Sequence, residues 1–253
     1  MRTQPFGLFL FFILVLVWAL PALAIVGNAP PATSWVVRSI VMIMDARGDL
    51  CTGTVLARDL VLTAAHCVRS TNDYEVKVYQ TGQIIPIRST VLHPSFDFGS
   101  YAASRATADV ALVKLSSSLP DIVAPATLAE SRRVAVGEIV TIAGFGVTIA
   151  GTDHGLGQPR MVKLTVTGKP GSLQIRLYDG TTRGLNGGFG GCTGDSGAPA
   201  FGGEGPLVIG VVSWTTGPRD TEGCGGLTGV TPLLLYRNWI VETARKLGSP
   251  LPS

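Results

Sequence analysis

Three short segments carry the side chains that could do chemistry. LTAAHC (62–67) holds His66 beside a cysteine, and TADVALVKL (107–115) sets Asp109 ahead of an alternating apolar run. GCTGDSGAP (191–199) holds Ser196 in a glycine-rich turn. Each has an ordinary explanation when taken alone: a packed histidine, a turn aspartate, a small-residue loop. Together they supply a nucleophile, a base and an orienting carboxylate. A serine hydroxyl attacks only when a neighbouring base takes its proton, and that base needs a third group to fix its tautomer. Ser196 would attack, His66 would serve as base and then acid, and Asp109 would hold the imidazole. The glycines around Ser196 let a tight turn aim the N–H groups of Gly194 and Ser196 at one point, where an oxyanion would sit.

The elements that must position these groups read as strands. Short runs rich in Val, Ile and Thr lie at 35–44, 53–65, 74–80, 84–93, 109–115, 138–146, 160–168, 172–178 and 207–214. With 32 glycines between them and no βαβ rhythm, they predict an all-β sandwich or barrel chain. A strand-poor stretch at 116–136 divides the chain in two. One helix is expected at the end, about 235–248, where Tyr236, Trp239, Ile240, Thr243, Ala244 and Leu247 recur at helical spacing.

The first 24 residues are set apart. Arg2, the apolar run Leu8–Leu20, Pro21 and the small-x-small Ala22-Leu23-Ala24 form an export signal cleaved after Ala24. The run is short for a membrane span, which needs about 18–20 apolar residues, so no membrane association is expected after cleavage. An exported chain with four cysteines, Cys51, Cys67, Cys192 and Cys224, favours two disulfides, and three pairings are possible. Their spacing does not suit zinc. Asp73 and Glu75 are too few oxygens for calcium, so no metal or cofactor is expected. The net charge is +3, from 20 basic and 17 acidic residues, with no basic stripe beyond Arg132-Arg133. Nucleic acid is therefore not an expected partner.

The segments TAAHC, DVALVKL and GDSGAP, in the order His, Asp, Ser, resemble the chymotrypsin/trypsin-like serine endopeptidases. Supporting matches are IVGN at 25–28, HP at 93–94, GFG at 144–146, SW at 213–214 and NWI near the end, so the likeness spans residues 25–253. The α/β-hydrolase elbow fails, because Ala198 stands where its last glycine belongs and the order of residues is wrong. The resemblance implies two antiparallel six-stranded β-barrels, about 25–120 and 135–235. It also implies pairings Cys51–Cys67 and Cys192–Cys224, a protein or peptide substrate, a monomer, and a protein inhibitor as the other conceivable partner. His93 and His154 are not expected to take part in catalysis.

The resemblance also implies a specificity pocket. Gly190 and Gly191 stand at its base, with no carboxylate to select Arg or Lys. Thr215 and Thr228 would stand on its walls, in place of glycines that leave a deep slot. That points to small or medium uncharged side chains; side chains turned away would instead leave room for large apolar ones. Ser213, Trp214 and Thr215 would pair with an extended substrate. Finally, the family's activating N-terminus falls on Ile25, whose ammonium would pair with Asp195, so the export cut would itself switch the protein on. The protein would be secreted or periplasmic. The rival reading is a silent binding or regulatory protein on the same scaffold, since fold does not fix function.

Overall fold

The computed structural model describes residues 25–69, 74–131, 133–168 and 173–252. The expected export signal, Asp73 and Arg132 fall outside these residues. Among the described residues, no helix is long and apolar enough to cross a membrane.

Two barrels divide the chain. The first is built from β1 (Ile40–Asp45), β2 (Leu50–Ala57), β3 (Leu60–Thr63), β4 (Tyr74–Lys77), β5 (Ile84–Leu92) and β6 (Ala111–Leu115). Its strands run β1-β2-β3-β6-β5-β4 and close where β1 pairs with β4. After the strand-poor stretch come β7 (Thr127–Leu128), β8 (Ile139–Gly144), β9 (Arg160–Thr167), β10 (Ile175–Tyr178), β11 (Pro199–Gly202), β12 (Leu207–Thr215) and β13 (Leu227–Pro232). Six of them run β11-β8-β9-β10-β13-β12 and close through β11–β12, while the two-residue β7 adds to β12 in parallel. All other pairings are antiparallel, so the fold is the expected pair of six-stranded barrels with one small addition.

Residue chemistry explains the strands. β3 and β6 are buried along their whole length, which suits the unbroken apolar runs LVL and ALV. β9 alternates buried with more exposed positions, the pattern of a strand with one face to a core and one to water. The first core joins Ile40, Val55, Leu62 and Leu112 with Phe145 and Phe201 from the second half, so the barrels share an apolar seam. The C-terminal helix spans Arg237–Lys246 and buries Ile240, Thr243 and Ala244. Beyond it, the Ser249 hydroxyl bonds both Lys114 and Asp59, and Lys114 pairs with Asp59, fastening the chain end to barrel one.

Two of the expected strands are partly wrong. The run at 53–65 is a hairpin that turns at Arg58-Asp59 between β2 and β3 and ends in a 3₁₀ turn. Ser34–Ser39 form a helix, and only from Ile40 does the run at 35–44 become extended. The β-branched pair Val36-Val37 favours a strand locally, but tertiary packing overrides it. Val36 is buried, Trp35 sets its ring edge-on to Phe201, and Arg38 reaches the Ile122 carbonyl.

Candidate active site

The β3–β6 ladder brings the first two groups together. Thr63 pairs with Ala111, so the 3₁₀ turn Ala65–Val68 leaves β3 directly beside the residue that enters β6. Asp109, only 1 % exposed, accepts from the His66 backbone N–H at 2.9 Å through Oδ1. Its Oδ2 lies 2.7 Å from His66 Nδ1 and 2.6 Å from the Ser213 hydroxyl. An ionised carboxylate only accepts, so Nδ1 carries the proton and the lone pair is left on Nε2, as a general base requires. Cys51–Cys67 closes beside the histidine. Over the imidazole lies the Tyr101 ring, with centroids 4.4 Å apart and planes within 14°. Tyr101 belongs to a short helix, Phe98–Ala102, capped by the Asp97 carboxylate on Gly99 and Ser100 N–H. Burial, and then the Asp109 charge, push its phenol up to about 12, so the ring stays neutral.

Ser196 comes from the loop that enters β11. The Asp195 N–H goes to Cys192 O and the Ala198 N–H to Asp195 O. The N–H groups of Gly194 and Ser196 take part in no backbone hydrogen bond among the described residues. Barrel one holds this loop through Thr52 of β2. Its N–H donates to Ser196 O, its hydroxyl donates to Gly194 O, and the same hydroxyl accepts from Phe145 N–H. Gly194 sits at φ +95° and Gly197 at φ +83°, and a Cβ on Gly197 would run into Thr63 Oγ1 and Thr52 O. Only glycine accepts both the conformation and the close approach. No hydrogen bond joins His66 Nε2 to Ser196 among the described residues; such bonds are often long before substrate arrives.

Behind the loop lies Asp195, fully buried. It accepts from Gly146 N–H and Cys192 N–H, each at 2.9 Å. Burial outweighs these two bonds and pushes the carboxyl up from 3.8 to about 7. Ile25 is also fully buried, within the second barrel's core, and Val26 bridges to Gly190.

On the far side of Ser196, Thr215 pairs with Thr228 across β12 and β13. Both face Gly191: a Cβ there would stand 3.2 Å from Thr215 Cγ2 and 3.3 Å from Thr228 Cγ2. Thr228 Oγ1 also accepts from Gly191 N–H at 3.0 Å. Gly190 lies against Gly225, and the Cys192–Cys224 bridge ties the two walls together. His93 stands apart, edge-on to Tyr236 and Trp239, with its ring pKa lowered by burial. His154 is exposed and bonded to Thr148. The roles of Thr52 and Tyr101 left no sequence signal: one is a threonine in a strand, the other an aromatic in an aperiodic loop.

The Trypsin family profile matches residues 24–240. The chain belongs to this family of serine proteases. It is 28 % identical over 227 residues to the vitellin-degrading protease of Bombyx mori, covering 82 % of this chain and 81 % of that one. A snake venom serine protease of Crotalus durissus durissus is 27 % identical over 233 residues, covering 80 % and 81 %. Human heparin binding protein shares the fold at TM-score 0.72 and 23 % identity, over 90 % of this chain and all of the other.

Proposed function

We propose that this chain is an exported serine endopeptidase that cleaves after small or medium uncharged residues. The observation that carries the reading is Asp109, which holds His66 by backbone and ring, while the N–H groups of Gly194 and Ser196 make no backbone hydrogen bond among the described residues. Ser196 Oγ attacks the scissile carbonyl as His66 Nε2 takes its proton, and the two N–H groups receive the oxyanion. His66 then returns the proton to the leaving amine, and water repeats the sequence on the acyl-enzyme. Asp109 stabilises the imidazolium in both halves. The Thr215 and Thr228 methyl groups, converging on Gly191, support a shallow pocket for the residue before the cut. Gly190 at its base offers no charge for Arg or Lys.

The same reading makes Ile25 the activation switch. A buried carboxylate without a cation is costly, and a free Ile25 ammonium would answer it and brace the loop that carries Gly194. Replacing Ser196 with Ala should lower turnover of a peptide cut after Ala by about 10⁶-fold. Peptidase activity near that of the parent in this variant would remove the proposal. Failure of a fluorophosphonate to label Ser196 would favour the silent binding protein.

A further inference from the structure

A cavity of about 430 Å³ opens beside the strand edge Ser213–Thr216, and its lining includes neither Gly190 nor Gly191. Thr216 sends its N–H to Leu227 O and accepts from Gly226 N–H. Alternation along the strand therefore turns the N–H and C=O of Thr215 the other way, where an extended peptide can add as a further strand. The residues N-terminal to the cleaved bond would then lie along this cavity.

Its walls come from both barrels and carry charge of mainly one sign. Arg105 enters from the segment before Asp109, and Arg176 enters from β10. Both are exposed, and neither is in an ion pair closer than 4.0 Å among the described residues. Two carboxylates bear on them. Asp97 feels Arg105 only weakly and is already committed to capping its helix, while Asp220 lines the cavity itself. Tyr101, Trp214 and Leu227 supply an apolar surface for the stem of a side chain. Two guanidiniums against one carboxylate leave an excess of planar donors, the geometry that grips a carboxylate and repels a cation.

Resting on the endopeptidase reading, we propose that this cavity selects polypeptides with an acidic side chain two to four residues before the cleaved bond, held by Arg105 and Arg176. With a shallow pocket for the residue at the cut, discrimination passes to this neighbouring site.

Peptides cut after Ala, carrying Glu, Gln or Lys in turn at each of those three positions, test this. At low salt the Glu peptide should show kcat/KM about 5- to 10-fold above its Gln counterpart at one position, with Lys lowest. The ratio should shrink towards one in about 0.5 M salt, where exposed charges are screened. Arg105→Gln or Arg176→Gln should each cut the Glu-to-Gln ratio by about 3-fold, the size of one exposed ion pair. Arg176→Glu should move the preference towards Lys. The same labelled peptides bound to the Ser196→Ala protein give this ranking without turnover. Loss of cleavage for every peptide would count against the peptidase alone, because binding still reads the cavity. Equal binding and cleavage of Glu and Gln peptides would overturn the inference. So would an Arg-dependent sulfated oligosaccharide that binds where acidic peptides do not.

Discussion

Thr215 and Thr228 meet across two strands, yet their hydroxyl groups do separate jobs. Thr215 also bonds the Gly223 carbonyl at 3.2 Å, near the rim, whereas Thr228 is fully buried and satisfies the Gly191 N–H. Thr215→Gly should therefore open the pocket with little damage to the fold. Because each methylene admitted to an apolar pocket is worth about 10- to 200-fold in kcat/KM, the ratio of cleavage after Leu to cleavage after Ala should rise by at least about 10-fold. Thr228→Gly opens the same space but strands a buried donor, at a stability cost of about 1–3 kcal/mol. A peptide series with Ala, Val, Leu and Phe before the cut reads the first effect, and urea unfolding reads the second. An unchanged Leu-to-Ala ratio in both variants would mean that neither side chain bounds the pocket.

Thr52 lets one element govern another. It lies on β2 of the first barrel, while the loop it holds belongs to the second. Thr52→Val keeps the shape but leaves Phe145 N–H without its acceptor and Gly194 O without its donor. That should cost about 1–3 kcal/mol of stability, and it should lower kcat about 10-fold with KM nearly unchanged, because the loop would carry the proposed oxyanion donors. Steady-state kinetics beside denaturant titration would separate the two losses, and an unaltered kcat would show that the loop stands without β2. This link also marks where sequence reading stops. TAAHC, DVALVKL and GDSGAP announce their chemistry because few side chains can do it, and the barrels follow from short β-branched runs. β11 and β13 were hidden behind the glycines and prolines of PAFG and LTGVTP, which weaken local strand preference. The helix Ser34–Ser39 was hidden in the opposite way, by Val36-Val37. Thr52 and Tyr101 act through contacts with Gly194 and His66, 142 and 35 residues away (101 − 66 = 35), and no local pattern encodes such meetings.

For the molecule as a whole, the proposed pairing of Ile25 with Asp195 would couple the N-terminus to stability. While residue 24 remains attached, Ile25 brings an amide and no charge, and the buried Asp195 carboxyl titrates near 7 rather than 3.8. A folded pKa above the unfolded one means that the folded state holds the proton more tightly. The uncut chain should therefore be most stable below about pH 4. It should lose stability as pH rises towards 7 and change little from this group above that. In the proposed pair, a free Ile25 ammonium would favour the ionised carboxylate and should remove that loss at neutral pH. An unperturbed α-amino group titrates near 7.7–8.0, and pairing with Asp195 would raise this, so the cut form should weaken only as pH climbs through that higher value. Thermal unfolding from pH 4 to 10 of two proteins, one beginning at Ile25 and one keeping Ala24, tests the coupling. Their midpoints should diverge between pH 4 and 7, with the cut form higher, and converge again at alkaline pH. Parallel curves over the whole range would mean that Ile25 and Asp195 do not pair, and that the export cut activates nothing.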